Sequence, residues 1–165
     1  MRNSGILLIT ALLLLLIACQ PTTEDAIKYN DGIIEQQNLV NEKFSVLLDT
    51  YDAIVPEEMD AAYNGASEQL QKSIAYVNKL KGFESDKYFK EAALKFLNTY
   101  KDVLENKHKR IIELYKLPDD KYTEKEGKEL ETLRDESSTI LDKAIDEMMI
   151  VQRKFAKKYH IDFES

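Results

Sequence analysis

Two side chains near the middle of the chain have the spacing of a metal-binding pair. Glu105 and His108 are three positions apart, so on a helix both side chains lie on one face and can reach a single metal ion. A helical di-iron site needs this Glu-x-x-His motif on two helices and one further glutamate from each of two others. The second histidine, His160, has Lys157 at the position where the glutamate is required. The sequence therefore predicts no metal centre and no bound cofactor.

Three hydroxyl side chains that are potential nucleophiles occur together at Ser137, Ser138 and Thr139. Such a nucleophile needs an adjacent base that accepts its proton, and no neighbour in the sequence supplies one. Paired acids such as Glu57 and Glu58 stand where helices are expected to begin, and carboxylates have a structural role there. We therefore expect no catalytic residue and no enzymatic activity.

The single cysteine, Cys19, follows an apolar segment that runs from Ile6 to Ile17, with the basic residue Arg2 before it. The segment is shorter than the ~20 apolar residues of a membrane-spanning helix. Its order of basic, apolar and small residues is typical of a secretory signal peptide. One thiol cannot form a disulfide within an exported chain, so Cys19 needs another explanation. The alternatives are an ordinary signal peptide, or an uncleaved N-terminal anchor, with an incidental cysteine.

Leu16-Ile17-Ala18-Cys19 resembles the lipobox of bacterial lipoproteins. In that class the signal peptide is cleaved before the cysteine, which then carries a diacylglyceryl group, and two acyl chains hold a protein stably on a membrane. The resemblance implies a signal peptide over residues 1–18, lipidation of Cys19 and a location in the bacterial cell envelope. Because Gln20 follows the cysteine, the same resemblance favours the outer membrane, with the protein either periplasmic or surface-exposed.

Two further segments resemble parts of helical surface lipoproteins, including a family described in Leptospira. They are Tyr29-Asn30-Asp31-Gly32-Ile33-Ile34-Glu35-Gln36 and Phe155-Ala156-Lys157-Lys158-Tyr159-His160. Those families have no established catalytic residues. The resemblance therefore implies a lipid-anchored helical domain and assigns no site.

The composition of the remaining chain favours helices and excludes one class of partner. Removal of residues 1–18 changes the formal net charge from −7 to −8, because Arg2 is the one charged residue in that segment. A nucleic-acid partner requires a basic patch or stripe, and the acidic balance argues against one. Glycine and proline are scarce, with five and three residues, which suits long helices. We expect two partners: the membrane, through Cys19, and an envelope protein.

Apolar residues recur at three- and four-residue steps in four segments, which predicts four amphipathic helices. The residues expected to face the core are Ile27, Ile33, Ile34, Val40, Phe44, Leu47, Tyr51 and Ile54 in the first; Met59, Tyr63, Ala66, Leu70, Ile74, Val77 and Leu80 in the second; Phe89, Ala93, Phe96, Tyr100, Val103, Leu104, Ile111 and Leu114 in the third; and Leu130, Leu133, Ile140, Leu141, Ala144, Met148, Val151, Phe155 and Tyr159 in the fourth.

Local signals predict where these helices begin and end. Capping pairs are expected at Thr22 with Asp25 and at Thr123 with Glu126, and Ser85 or Asp86 is expected to cap the third helix. Pro56 is expected at the first position of the second helix. Gly82 is expected to adopt the left-handed conformation at the end of that helix, with Phe83 folding back onto it. The third helix is expected to end at Leu117-Pro118.

Four long helices with short connections predict an all-α, up-down-up-down four-helix bundle over residues 24–165. An open array of helical hairpins is the alternative. Residues 19–23 form a tether that spans only ~10–18 Å when extended. The bundle is therefore expected to stand close to the membrane, with the Gly82 turn and the C-terminus at the membrane end. The turns at Pro56 and Pro118 are expected at the opposite end.

Charged residues are distributed unevenly along that axis. The segment 49–68 contains six acids and no basic residue. Near the membrane, eight basic residues roughly balance the acids: Lys79, Lys81, Lys87, Lys90, Arg153, Lys154, Lys157 and Lys158. One hypothesis is that this basic end contacts anionic headgroups. The alternative is that the charges solvate exposed helix faces and complement helix dipoles.

Three amides, Asn30, Gln37 and Asn41, fall on or beside the apolar stripe of the first helix. Buried amides fix the register of packed helices. They are also candidates for the lining of a small-ligand pocket, together with Tyr29, Tyr51, Tyr100 or Tyr159. The sequence thus favours a helical interaction or structural module in the envelope, with a small-ligand-binding bundle as the alternative. A cavity of several hundred cubic ångströms among the tyrosines would favour the alternative.

Overall fold

A computed structural model describes residues 21–84 and 87–162 and shows a four-helix bundle. Helix α1 is Thr23–Asp52 and α2 is Pro56–Lys79. Helix α3 has three consecutive parts: the α-helical Tyr88–Val103, a π-helical turn at Leu104–His108 and the α-helical Lys109–Tyr115. A short 3-10 turn, Asp119–Lys121, then leads into α4, Glu124–Lys158. The predicted all-α four-helix architecture is confirmed. In the described part of the chain, none of the helices is both long enough and apolar enough to cross a bilayer.

Side-chain contacts between helices establish their directions. Along α3 and α4, and along α1 and α4, residue numbers rise in one helix as they fall in the other, so each pair is antiparallel. The contacts are Lys95–Glu147 at 2.6 Å and Arg110–Glu129 at 2.7 Å between α3 and α4, and Asn30–Gln152 at 3.4 Å and Asp52–Arg134 at 2.9 Å between α1 and α4.

The predicted helix starts are confirmed in three helices. Thr22 and Asp25 form a capping box at α1, and Thr123 and Glu126 form one at α4, so the side chain of each threonine accepts a hydrogen bond from a first-turn backbone N–H. Pro56 occupies the first position of α2. It has no N–H to leave unsatisfied there, and its fixed φ suits a helix. The caps predicted for α3, Ser85 and Asp86, lie outside the described residues.

Helix α1 ends earlier than the apolar pattern predicts. Ile54 has a φ of 52° and its side chain is 66% exposed, so the prediction that it faces the core is wrong. The Ile54 N–H donates to the Tyr51 carbonyl and the Val55 N–H donates to the Thr50 carbonyl, which is the hydrogen-bond pattern of a Schellman cap. Isoleucine is strained in this left-handed conformation. The chain therefore forms the turn into Pro56 and leaves the Ile54 side chain exposed.

The turn after α2 also differs from expectation. None of the described glycines has a positive φ, so Gly82 does not form the predicted left-handed cap; Glu84 has a φ of 54° instead. The Nζ of Lys90 donates to the carbonyls of Asn78 and Leu80, at 2.8 and 2.5 Å, and thus satisfies groups at the end of α2. Phe83 still folds back onto the core, as predicted, with its side chain 9% exposed.

The core follows the predicted apolar stripes closely. Apart from Ile54, the one predicted core residue that is exposed is Ile27, at 37%; all of the others are buried or half-buried. The core residues that the structure describes run from Ala26 to Ala156. A chain that begins at Cys19 therefore contains all of the packing described here.

The two ends of the bundle contain different helix ends and turns. One end, called the Thr23 end below, contains the start of α1, the turn after α2 and the end of α4. There the rings of Tyr29, Phe83, Phe89, Phe155 and Tyr159 pack together, with centroids 4.6–6.2 Å apart. The opposite end, called the Pro56 end, contains the turn between α1 and α2 and the turn before α4. This arrangement agrees with the predicted grouping of the turns.

Candidate functional site

The imidazole of His108 is the most unusual group in the interior. His108 closes the π-helical turn of α3 and is only 2% exposed. A π-helical turn inserts one residue into an α-helix, and such insertions are frequent at functional sites. Burial lowers the pKa of His108 to about 4, from an ordinary value of 6.5, because the charged imidazolium loses its solvation inside the protein. At neutral pH the ring is therefore uncharged.

Tyr51 of α1 holds one nitrogen of this ring. The Tyr51 hydroxyl and His108 Nδ1 are 3.2 Å apart and hydrogen-bonded, and the two rings are stacked with centroids 5.8 Å apart. Phe44 packs edge-on against the imidazole, and Tyr115 stacks with Tyr51. Burial also raises the pKa of the Tyr51 phenol well above its usual value, so that the hydroxyl keeps its proton. Aromatic packing on several sides thus fixes the orientation of His108.

The other ring nitrogen, His108 Nε2, is buried and has no hydrogen-bond partner among the described residues. In a neutral imidazole one nitrogen carries the proton and the other carries a lone pair. If Tyr51 donates to Nδ1, Nε2 is an unused donor; if Nδ1 donates to Tyr51, Nε2 is an unused acceptor. Either arrangement leaves a buried polar atom unsatisfied, which costs ~1–3 kcal/mol. Such an atom in a folded protein calls for an explanation.

A groove bordered by α1, α3 and α4 has His108 among its lining residues. The groove has a volume of about 390 Å³. Its apolar lining comes from six residues, and its polar lining comes from His108 and six others. The apolar residues are Phe44, Leu48, Tyr51, Tyr100, Leu141 and Ile145, and the polar ones are Asn41, Ser45, His108, Arg134, Ser137, Ser138 and Asp142. The volume lies within the range of small-molecule sites, which are typically apolar with a few polar groups.

The polar groups around the groove are largely engaged with the protein. Ser137 is buried, and its hydroxyl donates to the Leu133 carbonyl at 2.6 Å. Arg134 donates to Asp52 at 2.9 Å and to the Tyr115 hydroxyl at 3.1 Å. These bonds hold the two side chains in place, whereas His108 Nε2 is a buried lining atom without a partner among the described residues.

Neither Ser137 nor Glu105 is paired with His108. The Ser137 hydroxyl is committed to a backbone carbonyl, so it is not aligned with His108 as a nucleophile with its base. Glu105 is exposed and lies 3.8 Å from Lys101 in an ion pair, whereas His108 is buried, so these two residues do not face a common metal position. No cluster of three or more histidine, cysteine or acidic residues suited to a metal is found within the described ranges.

The amides singled out from the sequence have different surroundings. Asn30 and Gln37 are buried. Asn30 accepts a hydrogen bond from Gln152 across the α1–α4 interface at 3.4 Å, which fits the register hypothesis. Asn41 is exposed and lines the groove, which fits the pocket hypothesis. Cys19 lies outside the described residues, so its predicted lipidation stays a prediction.

The four tyrosines of the pocket hypothesis divide into two pairs. Tyr51 and Tyr100 line the groove, and burial raises the pKa of Tyr100 to about 12. Tyr29 and Tyr159 belong to the aromatic cluster at the Thr23 end. The sequence pattern indicates His108 only as a potential metal ligand, whereas the structure places it in the lining of the groove. Its spacing from Leu104 and Ile111, at four and three residues, was the signal that it lies on the buried stripe.

A second groove runs between α3 and α4, with a volume of about 400 Å³. Phe96, Met148 and Ile150 are among the residues that line it, and the Lys95–Glu147 ion pair borders it. The structure shows no buried polar atom without a partner among its lining residues within the described ranges. We therefore take the groove at His108, called the His108 groove below, as the candidate site.

Comparison of the chain with protein-family models, with curated proteins and with solved structures found no match.

Proposed function

We propose that this chain is a lipid-anchored protein of the bacterial cell envelope whose helical bundle binds a small, largely apolar ligand in the His108 groove. The anchoring part of the proposal is supported by the resemblance of Leu16-Ile17-Ala18-Cys19 to a lipobox. The binding part is supported by the unpartnered Nε2 of His108, a buried polar atom at a groove with aromatic walls.

The chemistry of the groove defines the ligand class. Phe44, Tyr51 and Tyr100 offer aromatic surface, so the body of the ligand is apolar and preferably aromatic. Because His108 is uncharged at neutral pH, it contributes no positive charge to attract an anion. The group that meets Nε2 is therefore a neutral hydrogen-bonding group such as a hydroxyl or an amide. That bond removes the cost of the unsatisfied nitrogen, which favours the bound state.

Two neighbouring residues of α4 allow a matched test. Ser138 is exposed and lines the groove, whereas Thr139 is exposed and does not line it. We expect Ser138→Phe to fill the groove and to abolish saturable binding of 2-naphthol, an aromatic probe with one hydroxyl. Thr139→Phe adds a ring of the same size at the next position and is expected to leave binding intact. Equilibrium dialysis measures both.

Circular dichroism and thermal unfolding of the two variants check that each keeps the helical fold. Equal binding by Ser138→Phe and the unsubstituted protein would exclude the His108 groove as the site. So would a lack of saturable binding by the unsubstituted protein.

A helical interaction module remains the second candidate function. Met149 and Ile150 of α4 are 39% and 52% exposed, and Ile150 also lines the second groove. Adjacent exposed apolar side chains suit a protein partner in the envelope. If 2-naphthol does not bind in the His108 groove, this candidate becomes the better supported one.

A further inference from the structure

Several cations at the Thr23 end have no partner within the described part of the chain. Six exposed basic residues there form no ion pair or side-chain hydrogen bond with any residue in the described ranges: Lys79, Lys81, Lys87, Arg153, Lys154 and Lys157. Elsewhere ion pairs are common, for example Lys95 with Glu147 and Lys116 with Asp60. Lys109, Lys121, Lys125 and Lys143 are also without an ion pair among the described residues, but they lie farther from the Thr23 end. None of the six charges at that end is neutralised by an acid of the described ranges.

The acids at the same end are largely occupied within the protein. Asp25 belongs to the capping box with Thr22, and Glu24 pairs with Lys28 at 2.8 Å. Glu84 accepts a hydrogen bond from the Tyr159 hydroxyl at 2.9 Å. Asp162 is exposed at the end of the described chain. Glu91, in the first turn of α3, is also exposed. Exposed cations therefore outnumber unengaged acids among the described residues at this end, although the whole chain carries a formal net charge of −7.

Helix dipoles account for only part of this pattern. Lys79 and Lys157 lie in the last turns of α2 and α4, where a cation is favourable. Lys87 stands at the N-cap position of α3, where the positive end of the dipole disfavours a cation. Lys81 lies beyond the end of α2, in the turn. Interaction with a helix dipole therefore does not account for Lys87 or Lys81.

The position of the chain terminus indicates what these cations face. The described chain begins at Pro21, so residues 1–20 join the bundle at the Thr23 end. The apolar segment Ile6–Ile17 and Cys19 precede that junction by a few residues. The acidic segment 49–68 lies around the opposite end. A negatively charged surface at the anchored end would attract the near charges and repel the far ones.

We propose that the six cations form a membrane-facing surface that binds the headgroups of anionic phospholipids and holds the bundle upright, with its Pro56 end away from the bilayer. This inference rests on the proposed anchoring at Cys19. Each lysine or arginine near an anionic surface contributes modestly, so the surface orients an anchored protein and does not replace the anchor. In this orientation both grooves lie along the sides of the bundle.

The single cysteine permits a direct test. The chain of residues 19–165 is coupled through Cys19 to a maleimide lipid, either in vesicles of phosphatidylcholine or in vesicles with about one third phosphatidylglycerol. Mass spectrometry then follows the rate at which each lysine is acetylated. On the anionic vesicles we expect acetylation of Lys81, Lys87, Lys154 and Lys157 to be slower by about fivefold. Lys109, Lys121 and Lys125, nearer the Pro56 end and exposed, are expected to react equally on both vesicles.

Matched variants separate local charge from net charge. When Lys81, Lys87 and Lys154 are replaced with glutamine, Lys157 is the remaining reporter. We expect its acetylation rate in this variant to be the same on the two kinds of vesicle. Replacing Lys109, Lys121 and Lys125 with glutamine changes the net charge equally and is expected to preserve the slowing at Lys157. Equal rates on the two vesicles, or equal slowing at both ends of the bundle, would overturn the proposal and leave an acidic protein as the partner of these cations. Because Cys19 is coupled chemically and 2-naphthol binding is measured in solution, this result is independent of the proposed lipidation and ligand binding.

Discussion

Replacement of Phe155 with alanine is expected to lower the free energy of unfolding by about 3–5 kcal/mol. Phe155 is 5% exposed and contacts four other aromatic rings: Tyr29 at 5.7 Å, Phe83 at 5.5 Å, Phe89 at 4.6 Å and Tyr159 at 4.7 Å between centroids. These rings come from α1, the turn after α2, α3 and the end of α4. Removal of the central ring leaves a cavity where all of these elements meet, and a packed interior relaxes only partly to fill it.

Urea unfolding followed by circular dichroism measures this change. Ile150→Ala is the control, because Ile150 lies on the same helix but is 52% exposed, so we expect its replacement to cost much less. A cost for Phe155→Ala as small as that for Ile150→Ala would mean that the four elements do not close around Phe155, and would contradict the bundle.

Acidification is expected to destabilise the protein through His108, by about 3 kcal/mol between pH 6.5 and pH 4. The folded-state pKa of His108 is lowered to about 4, whereas the unfolded chain has the ordinary value of 6.5. Within this window the unfolded state binds a proton that the folded state excludes. Stability is therefore unaffected above pH 6.5 and falls progressively as the pH drops toward 4.

The two histidines of the chain provide the comparison for this prediction. His108→Gln removes the buried titrating group, so its stability is expected to fall much less over the same window. His160→Gln removes the exposed histidine and is expected to behave like the unsubstituted protein. Carboxylates with lowered pKa values, such as those of Glu129 and Glu147, lose their stabilising charge only below about their ordinary value of 4.5, and they are common to all three proteins. Parallel stability profiles for His108→Gln and the unsubstituted protein would show that His108 is not a buried neutral base.

The apolar periodicity of the sequence was sufficient for the fold because nearly every core position depends on it. Val40, Phe44 and Leu47 on α1, like Met148, Val151 and Phe155 on α4, repeat at three- and four-residue steps and are buried as predicted. The capping boxes were equally readable, since they depend on residues that are three positions apart.

Features that depend on the surrounding structure were not predictable in the same way. At Ile54 the helical period predicts burial, but the turn toward Pro56 requires a left-handed residue and turns the side chain outward. At Gly82 the residue type predicts a left-handed cap, but the Nζ of Lys90, eight positions later, satisfies the carbonyls of Asn78 and Leu80. At Ile54 the local Schellman hydrogen bonds accompany the exposed side chain, and at Gly82 a more distant lysine takes the place of the predicted cap.

The candidate site was predictable only in part for a similar reason. Asn41, Tyr51 and Tyr100 were recognised as potential pocket residues, and all three line the His108 groove. The role of His108 depends on the π-helical turn and on Tyr51, which lies 57 positions earlier in the chain. A helical pattern read from one segment contains no information about which ring nitrogen is bonded and which is not.

The most direct test of the account compares two probes that differ in a single hydroxyl. If His108 Nε2 is the polar contact of the ligand, the unsubstituted protein binds 2-naphthol more tightly than naphthalene by about fivefold or more, the factor expected when a buried nitrogen gains its hydrogen bond. In the double variant His108→Leu/Tyr51→Phe both buried polar groups are gone, and that preference is expected to disappear while naphthalene still binds. Equal or tighter binding of naphthalene by the unsubstituted protein, or a preference for 2-naphthol that survives in the double variant, would contradict the account.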